Sequence, residues 1–294
     1  MPSERRKTKM KKKMNKTLKK ILKIGALALA VILIAGVCLF ANALVGNPIS
    51  KLLAQNTAKN YIEETYEGKN YELEGISYSF KDGYYHANVV SPDSIDTHFT
   101  LLINGFGKLV YDYYENNVTN GWNTAYRLED DYRKTVKTIF DSGAFPYNAH
   151  IGYGELITIA PEDKDRPDVP EYAIITNELK LDAYYNVNEL GKRAGKLTVY
   201  IADETVTAER LGEILLGARD CFDKAGVGFY AIDCVLEYPQ EEGGNYRYGR
   251  VEVMEFLYSD IYAEGLTERV EAANEAAIAY HSAQDTEKAG EIVE

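Results

Sequence analysis

The sequence predicts an α+β protein in which one N-terminal transmembrane helix is followed by two small α+β domains, with antiparallel sheets and helices packed on one face. Three observations predict this fold class. An unbroken apolar run lies near the start of the chain. Beyond it, stretches with the period-two alternation of strands are separated by turns that contain Gly, Pro, Asn or Asp. Between these stretches lie others whose apolar residues follow helical spacing.

The apolar run, residues 24–45, is long enough to cross a membrane. It carries no formal charge, and at a rise of about 1.5 Å per residue it spans about 33 Å, against a hydrocarbon core of about 30 Å. The basic segment before it, residues 1–23, holds eleven Lys and Arg and one acidic residue. By the positive-inside rule this segment stays in the cytoplasm. We therefore expect a single-pass protein of the cell membrane, with the bulk of the chain extracellular.

Two other fates of the apolar run are open. Ala41-Asn42-Ala43 has the small-x-small pattern of a signal-peptide cleavage site. Cys38 is a candidate for lipid modification, although Val37 stands before it, where such a motif requires Gly or Ala, and more apolar residues follow it. The run is longer than the roughly 7–15 apolar residues of a signal peptide. An uncleaved anchor that contacts the lipid bilayer through residues 24–45 is therefore the favoured interpretation.

The charge of the outer part excludes one class of partner. The whole chain has 33 Lys+Arg, 45 Asp+Glu and a net charge of −12. Because the first 45 residues hold eleven of those bases and one of those acids, 22 bases and 44 acids remain beyond them, for a net charge of −22. A surface this acidic repels phosphate, so we expect no nucleic-acid partner. It keeps an exported domain soluble and permits a cationic partner.

The first predicted domain covers residues 46–145. Pro48 suits the first turn of a helix and Gly68 its end. Four strands of an antiparallel meander follow, with turns at Lys81-Asp82-Gly83 and Asn104-Gly105. A helix over about 120–142 ends the domain, because Gly143 and Pro146 interrupt its apolar stripe.

The second predicted domain covers residues 146–283, and a polar tail, 284–294, follows it. Thr207 and Gly226 mark the start and the end of its best-defined helix. The predicted elements, in chain order, are a strand GELITIAP, a polar loop, a strand over 172–185, a short helix NVNELGKRAG, a strand KLTVYIAD, the helix after Thr207, the strands VGFYAIDCVLEYP and RVEVMEFLYSD around the loop EEGGNYRYG, and a last helix from about residue 266 to 282.

Two cysteines lie in the outer part, Cys221 and Cys234. The first is predicted on a helix, about 6 Å from its end, and the second about 20 Å along the next strand. The difference between these two distances, about 14 Å, exceeds the roughly 7 Å limit on the Cα separation of a disulfide. We expect two buried free thiols.

A family resemblance rests on two stretches. GKRAGKLTVYIADETVTAERLGEILLGARDCFDKAGVGFYAIDCVLEYP with VEVMEFLYSDIYAEGL is similar to the outer domain of the YfjL-like proteins, which are single-pass proteins of Gram-positive bacteria. The basic start, the anchor and GNPISKLLAQNTAKNYIEETYEG resemble the N-terminal part of the same family. The resemblance implies architecture and location. The family carries no settled activity, so no functional residue is carried over.

Histidines offer one candidate for chemistry. His86 and His98 lie on neighbouring predicted strands, with Asp96 close by. Two histidines and a carboxylate are the ligands of one class of metal site. A one-residue slip in register would place the two rings on opposite faces. A polar strand histidine is therefore the alternative, and we expect no metal ion or cofactor.

A carboxylate pair offers the second candidate. Asp233 and Glu255 each interrupt the apolar pattern of a strand. If the strands pair with these residues opposite each other, the two acids meet, as catalytic carboxylates do in glycoside hydrolysis. The alternative is that both acids lie on the outer face of the sheet and meet water.

Tyrosine, with 24 residues, offers a third candidate. It supplies rigid amphipathic contact area and is favoured in interfaces. Half-exposed cross-strand ladders are the alternative. The predicted interaction surface comprises Tyr84, Tyr85, Tyr111, Tyr113 and Tyr114, and further tyrosines on strands or loop tips are Tyr184, Tyr185, Tyr246 and Tyr248.

Together these features predict a membrane-anchored binding or interaction module whose partner is another envelope protein or a wall polymer. The alternative is a cell-envelope hydrolase that uses a carboxylate pair. An enzyme would place the two acids in a concave pocket with apolar walls, whereas a binding module would expose a broad aromatic patch.

Overall fold

The structure is a computed structural model that describes the backbone of residues 3–239 and 249–291, with side chains over 18–239 and 249–284. The chain forms two compact units. The first comprises Met1–Asp93 and His98–Tyr113, and the second comprises Ser94–Thr97 and Tyr114–Glu294. Residues 94–97 connect two strands of the first unit along the chain, yet their contacts place them in the second.

The first unit begins with two helices, α1 (Ser3–Val45) and α2 (Pro48–Thr65). The apolar side chains of α1 from Leu18 to Val45 are exposed. Among the described residues, one helical stretch, near the N-terminus, is long and apolar enough to cross a membrane. Pro48 is in the first turn of α2, as predicted, and the Ser50 N–H donates to Asn47 Oδ1 at 2.8 Å as an N-terminal cap.

A four-stranded antiparallel meander completes the first unit, with strand order β1-β2-β3-β4. One face buries Tyr85, Ala87 and Val89 with Phe99 and Leu101. The buried side of α2, formed by Ala54, Ala58 and Ile62, packs against this sheet. The strands are β1 (Glu72–Tyr78), β2 (Tyr85–Val90), β3 (His98–Ile103) and β4 (Leu109–Asp112). The predicted helix and meander are confirmed.

The second unit is built on a four-stranded mixed sheet with order β10-β9-β8-β5, beside a two-stranded parallel ladder, β6-β7. The pair β8–β9 is parallel, and the flanking pairs are antiparallel. The strands are β5 (Ala149–Leu156), β6 (Thr158–Ile159), β7 (Ile174–Ile175), β8 (Gly195–Ala202), β9 (Ala231–Glu237) and β10 (Arg250–Leu257). The helices are α3 (Trp122–Asp141), α4 (Val187–Ala194), α5 (Ala208–Ala225) and α6 (Leu266–Glu291).

Three helices, α3, α5 and α6, cover one face of this sheet and form the main core with it. The core residues of β8 are Leu197, Val199 and Ile201, which alternate with residues on the other face. On β5, Gly152 and Gly154 let α3 pack closely, because an added Cβ would lie 2.7 Å from Phe140 or Val136. The predicted boundary at residue 145 differs from the observed division, since α3 packs on β5 and belongs to the second unit.

Two other elements differ from the prediction. The strand expected over 172–185 is limited to β7, and turns and a short 3-10 helix occupy the remainder. The last helix, expected to end near residue 282, continues to Glu291, so the predicted tail 284–294 is helical over most of its length. Within α6, Asn274 Oδ1 accepts from the Glu252 N–H at 2.9 Å and thereby covers the edge of β10.

The two outer cysteines are free thiols, as expected from their separation. Cys234 is buried, and burial together with Asp233 raises the pKa of its thiol to about 12. Cys221 is only half-buried, and its Sγ lies 3.4 Å from the Ala144 carbonyl oxygen, so the prediction of burial is only partly met.

Candidate functional site

The strongest candidate site lies on the face of the second unit's sheet that is opposite the three helices. We call it the open face, and its members are Ile151, Tyr153, Glu155, Lys196, Thr198, Tyr200, Asp233 and Met254. Strand alternation places these residues there, because their sequence neighbours fill the core. Ile151, Tyr153 and Met254 are exposed, so this face of the sheet presents apolar and aromatic surface to solvent.

Strands β5, β8 and β9 bring Glu155, Lys196 and Asp233 together on the open face. The Lys196 ammonium lies 3.5 Å from Glu155 Oε1 and 3.5 Å from Asp233 Oδ2. Glu255, on β10, adds a third carboxylate next to Asp233. We call these four residues the charged cluster. With three carboxylates around one ammonium, the cluster carries net negative charge at neutral pH.

Burial and charge act in opposite directions on Lys196, whose side chain is 17% exposed. Burial alone would lower the pKa of its ammonium, but Asp233, Glu155 and Glu255 outweigh that effect and hold the pKa above its ordinary value. Lys196 is therefore a permanent cation at neutral pH. It offers no free base for proton transfer.

Asp233 and Glu255 are neighbours, as in the predicted pairing. The hydrogen bond between them uses the backbone of Glu255 and not its carboxyl group. Met254 and Glu255 together oppose Asp233 between the paired positions Val253↔Cys234 and Phe256↔Ile232, which defines a β-bulge. The Glu255 backbone N–H donates to Asp233 Oδ1 at 2.6 Å. Since Oδ2 of Asp233 pairs with Lys196, both carboxylate oxygens of Asp233 are engaged within the protein.

Tyrosines border the charged cluster at one end. The Tyr172 hydroxyl lies 3.5 Å from Glu255 Oε1. Burial, followed by the charges of Glu255 and Asp233, raises the pKa of Tyr172 well above its usual range, so its hydroxyl stays protonated. The Tyr172 ring stacks on Tyr230 with centroids 4.4 Å apart. Two aromatic rings and a hydroxyl donor therefore flank the three carboxylates.

Tyr230 also lines a cavity of about 370 Å³. The remaining lining residues are Lys192, Asp223, Gly228, Phe229, Leu257, Tyr258 and Ser259. The Tyr258 hydroxyl donates to Asp223 at 2.9 Å, and the Arg219 guanidinium lies 4.4 Å from the Tyr258 ring centroid. Neither Asp233 nor Glu255 lines this cavity. A hydrolase would need both acids in a concave pocket, and this cavity does not contain them.

The structure does not assemble the predicted histidine site. His86 pairs with Leu102 and His98 with Val90, so both rings lie on one face but four residues, about 13 Å, apart along the strands. Asp96 belongs to the second unit, where it binds Arg127. Nowhere in the described part of the chain do three His, Cys, Asp or Glu residues converge to hold a metal ion.

The predicted tyrosine surface is only partly available. Tyr85 is 2% exposed and hydrogen-bonds the backbone of Asn47, so it cannot belong to an interaction surface. Tyr111 is exposed, Tyr84 and Tyr113 are half-buried, and the rings of Tyr111 and Tyr113 are 4.7 Å apart. Tyr114 is half-buried and belongs to the second unit. Tyr246 and Tyr248 lie outside the described residues.

Sequence reasoning missed Glu155, Lys196 and Tyr172. A signal for Lys196 was present, because Lys196, Thr198 and Tyr200 alternate with three core residues in KLTVYIA. Tyr172 gave no such signal, since it lies in a loop whose path depends on tertiary contacts.

Fold and site together define a class of protein: a two-unit α+β chain that follows an exposed apolar N-terminal helix and carries a polar and aromatic open face on its second sheet. Family models agree with this division. The YfjL-like N-terminal domain matches residues 19–113, and the YfjL-like C-terminal domain matches residues 131–271. The chain belongs to the YfjL-like family. The first match ends at Tyr113, where the first unit also ends.

Comparisons with other proteins add little. A crystal structure of a DUF5037 family protein from Ruminococcus gnavus is 17% identical and matches 62% of this chain and 73% of its own, with a TM-score of 0.19. That score supports no argument about this chain. No curated protein matches it.

Proposed function

We propose that this chain is a single-pass membrane-anchored protein whose acidic outer part acts as a binding or interaction module at the cell envelope. The exposed apolar helix α1 supports the anchor, because its side chains have no protein core to pack into. The lysines before the apolar run support a cytoplasmic N-terminus. The partner is another envelope protein or a wall polymer.

The observation that carries the binding role is the open face of the second sheet. Its exposed side chains Tyr153 and Met254 lie two residues from Glu155 and one residue from Glu255 on their strands, so apolar contact area and fixed charge lie side by side. The net negative charge of the cluster favours a ligand that bears an amino group or another cation. Such groups occur on envelope proteins and on wall polymers alike.

The hydrolase alternative rests on the contact between Asp233 and Glu255. Asp233 already accepts a backbone hydrogen bond and an ion pair, so a reacting group would have to displace one of them. If Asp233→Asn and Glu255→Gln abolished a wall-degrading activity while the unfolding midpoint stayed unchanged, the enzyme function would replace the binding function.

Site-specific photocrosslinking in intact cells tests the binding role. A benzoylphenylalanine at Tyr153, on the open face, is expected to capture a defined envelope partner. Tyr184 is a matched control, because it is a tyrosine of the same unit, 92% exposed, and does not belong to the open face. The adduct at position 153 should weaken when Glu155 and Glu255 are both replaced by Ala, which leaves Asp233 and Lys196 as a neutral pair.

Two results would contradict the proposal. One is the same set of adducts at positions 153 and 184, which would show random collision rather than recognition. The other is an adduct at position 153 that persists in the double alanine variant, which would show that the charged cluster does not contribute to binding.

A further inference from the structure

The end of the anchor helix is fixed to the first unit by hydrogen bonds. Directly after Val45, the Asn47 N–H donates to the Tyr85 hydroxyl at 2.8 Å, and that hydroxyl donates to the Asn47 carbonyl oxygen at 3.0 Å. Gly46 has φ +71, and an added Cβ would lie 2.6 Å from the Tyr85 hydroxyl. The proposed span therefore does not enter the unit through a loose tether. It meets the sheet at a fixed point beside Tyr78 and Tyr85.

Both hairpin tips of the first sheet lie at this same end. Tyr78 and Tyr85 pair at the end of β1 and the start of β2, so the β1–β2 turn lies immediately beyond them. The sheet is a meander, so the β3–β4 turn emerges at the same edge, where Ile103 pairs with Tyr85. The β3–β4 turn contacts the first turns of α2, since a Cβ on Gly105 would lie 3.7 Å from Ser50 Oγ.

Each tip carries an exposed phenylalanine. Phe106, in the β3–β4 turn, is 91% exposed, and Phe80, in the β1–β2 turn, is 63% exposed. Ile49 and Leu52, in the first turns of α2, are exposed as well. Isolated exposed apolar residues need no explanation, but a group at one end of a unit marks an interaction surface.

Hydrogen bonds fix the backbone conformation of both hairpin tips. In the β3–β4 turn, Asn104 Oδ1 accepts the N–H groups of Phe106 and Lys108, each at 3.0 Å. Thr57 Oγ1 on α2 donates to the Gly107 carbonyl oxygen at 2.6 Å. In the β1–β2 turn, Asp82 Oδ1 accepts the Tyr84 N–H at 3.0 Å. The backbone that carries their phenylalanines is therefore held in place.

Distance along the chain identifies the occupant of this surface. Ser50 follows Val45 by five positions, and even a fully extended chain of that length reaches only about 17 Å. If the hydrocarbon core ends near Val45, both tips lie within or next to the headgroup layer, where aromatic side chains are favoured. Exposed lysines lie at the same end, Lys51, Lys81 and Lys108, and lysines attract anionic headgroups.

We propose that the two hairpin tips of the first unit, led by Phe106 and Phe80, insert into the interfacial layer of the same membrane that holds helix α1. This inference rests on the proposed anchoring and goes beyond it. The span alone would let the first unit tilt together with helix α1 in the bilayer, whereas inserted tips hold the sheet end-on against the lipid. The ligand is the bilayer surface itself.

Tryptophan quenching by brominated lipid tests this contact. The full chain carries one native tryptophan, so Phe106→Trp is made in a Trp122→Phe background and reconstituted in phosphatidylcholine–phosphatidylglycerol vesicles, with and without brominated acyl chains. Glu72→Trp in the same background is the control, because Glu72 is exposed and lies at the other end of β1, about 20 Å from Tyr78.

The expected result is that position 106 emits at shorter wavelength than position 72 and loses intensity in brominated vesicles, while position 72 does not. Vesicle flotation is measured on the same samples. Chains that float without quenching at position 106 would overturn the tip contact and leave the anchor intact. Blue-shifted but unquenched emission would also overturn it, since the tip would then contact protein. Chains that fail to float would overturn the anchor and the tip contact together.

Discussion

At the scale of single residues, one buried carboxylate connects three segments of the second unit. Asp96 is 1% exposed, and the Arg127 guanidinium donates to both of its oxygens, from Nε at 2.6 Å and from Nη2 at 2.8 Å. The Thr124 hydroxyl and the Asp182 N–H each donate to Oδ2 at 2.9 Å. A bidentate pair with two further donors leaves the buried charge fully compensated.

The environment of Asp96 predicts a pH dependence. Burial alone would raise the pKa of this carboxyl, but Arg127, the Asp182 N–H and Thr124 outweigh it, so the pKa lies below its usual value. A carboxyl with a depressed pKa stabilises the fold at pH values above its unfolded pKa of about 4. That contribution is lost as the pH falls through the folded-state pKa.

Replacement of Asp96 by Asn is therefore expected to lower the free energy of unfolding at neutral pH by about 3 kcal/mol, since it leaves Arg127 partly buried without a counter-charge. It should also flatten the fall in stability below about pH 4. Urea unfolding, followed by the fluorescence of Trp122 next to this network, measures both effects.

Asp130→Asn is the control for that variant. It removes an exposed ion pair with Lys134 on the same helix, so the unfolding midpoint should stay where it is. An equal loss of stability in both variants would contradict the role assigned to Asp96.

The sequence identified several site residues without their partners. Asp233 and Glu255 were recognised as acids that interrupt apolar strand patterns, and the two do meet. Asp96 was assigned to a histidine site, whereas it binds Arg127, 31 residues further along the chain. Strand alternation indicates on which face a residue lies, but it gives neither the register nor the segment that covers that face.

At the scale of elements, the bulge in β10 carries a strained residue. Glu255 has φ +47, a left-handed conformation that costs a residue with a side chain about 1–2 kcal/mol. Its N–H is held by Asp233, which compensates part of that cost. The bulge directs the Glu255 side chain towards Tyr172 and so completes the charged cluster.

Glu255→Gly should stabilise the second unit by about 0.5–1 kcal/mol, because glycine adopts this conformation without strain and the Asp233 contact uses only the backbone N–H. Thermal unfolding of the variant measures the gain. Glu255→Gln, which keeps the strain and removes the charge, should leave the midpoint near the wild-type value. A midpoint lower in the glycine variant than in the glutamine variant would contradict the strain.

Elements with strong local signals were predicted well. Helix α5 begins after the Thr207 cap and ends at Gly226, whose φ of +68 needs a glycine. The strand expected over 172–185 is limited to Ile174–Ile175, because other apolar residues of that stretch, such as Leu179 and Tyr185, pack against the core from turns rather than through strand pairing. Apolar content alone does not separate a strand from a buried loop.

At the scale of the whole molecule, the sequence predicted two α+β domains but not the division between them. Gly143 and Pro146 end helix α3, yet the end of a helix is not the end of a domain. The second sheet needs α3, because Tyr132 and Val136 fill the core over β5. Such a contact between distant segments leaves no local mark in the sequence.

The molecule also divides by charge. Eleven bases precede a span without formal charge, and an outer part with a net charge of −22 follows it. This asymmetry, with the exposure of the apolar side chains of α1, is the basis for the proposed topology. The binding role of the open face and the lipid contact of the hairpin tips both depend on it.

Thiol labelling in intact cells tests that topology most directly. In a background of Cys38→Ala and Cys221→Ala, which keeps only the buried Cys234, a cysteine replaces either Ser3, before the span, or Asn88, exposed on β2. A membrane-impermeant maleimide should label position 88 in intact cells and position 3 only after permeabilisation, with both variants in the membrane fraction. Labelling of position 3 but not position 88 in intact cells, or a mature chain in the medium that begins after Ala43, would contradict the account.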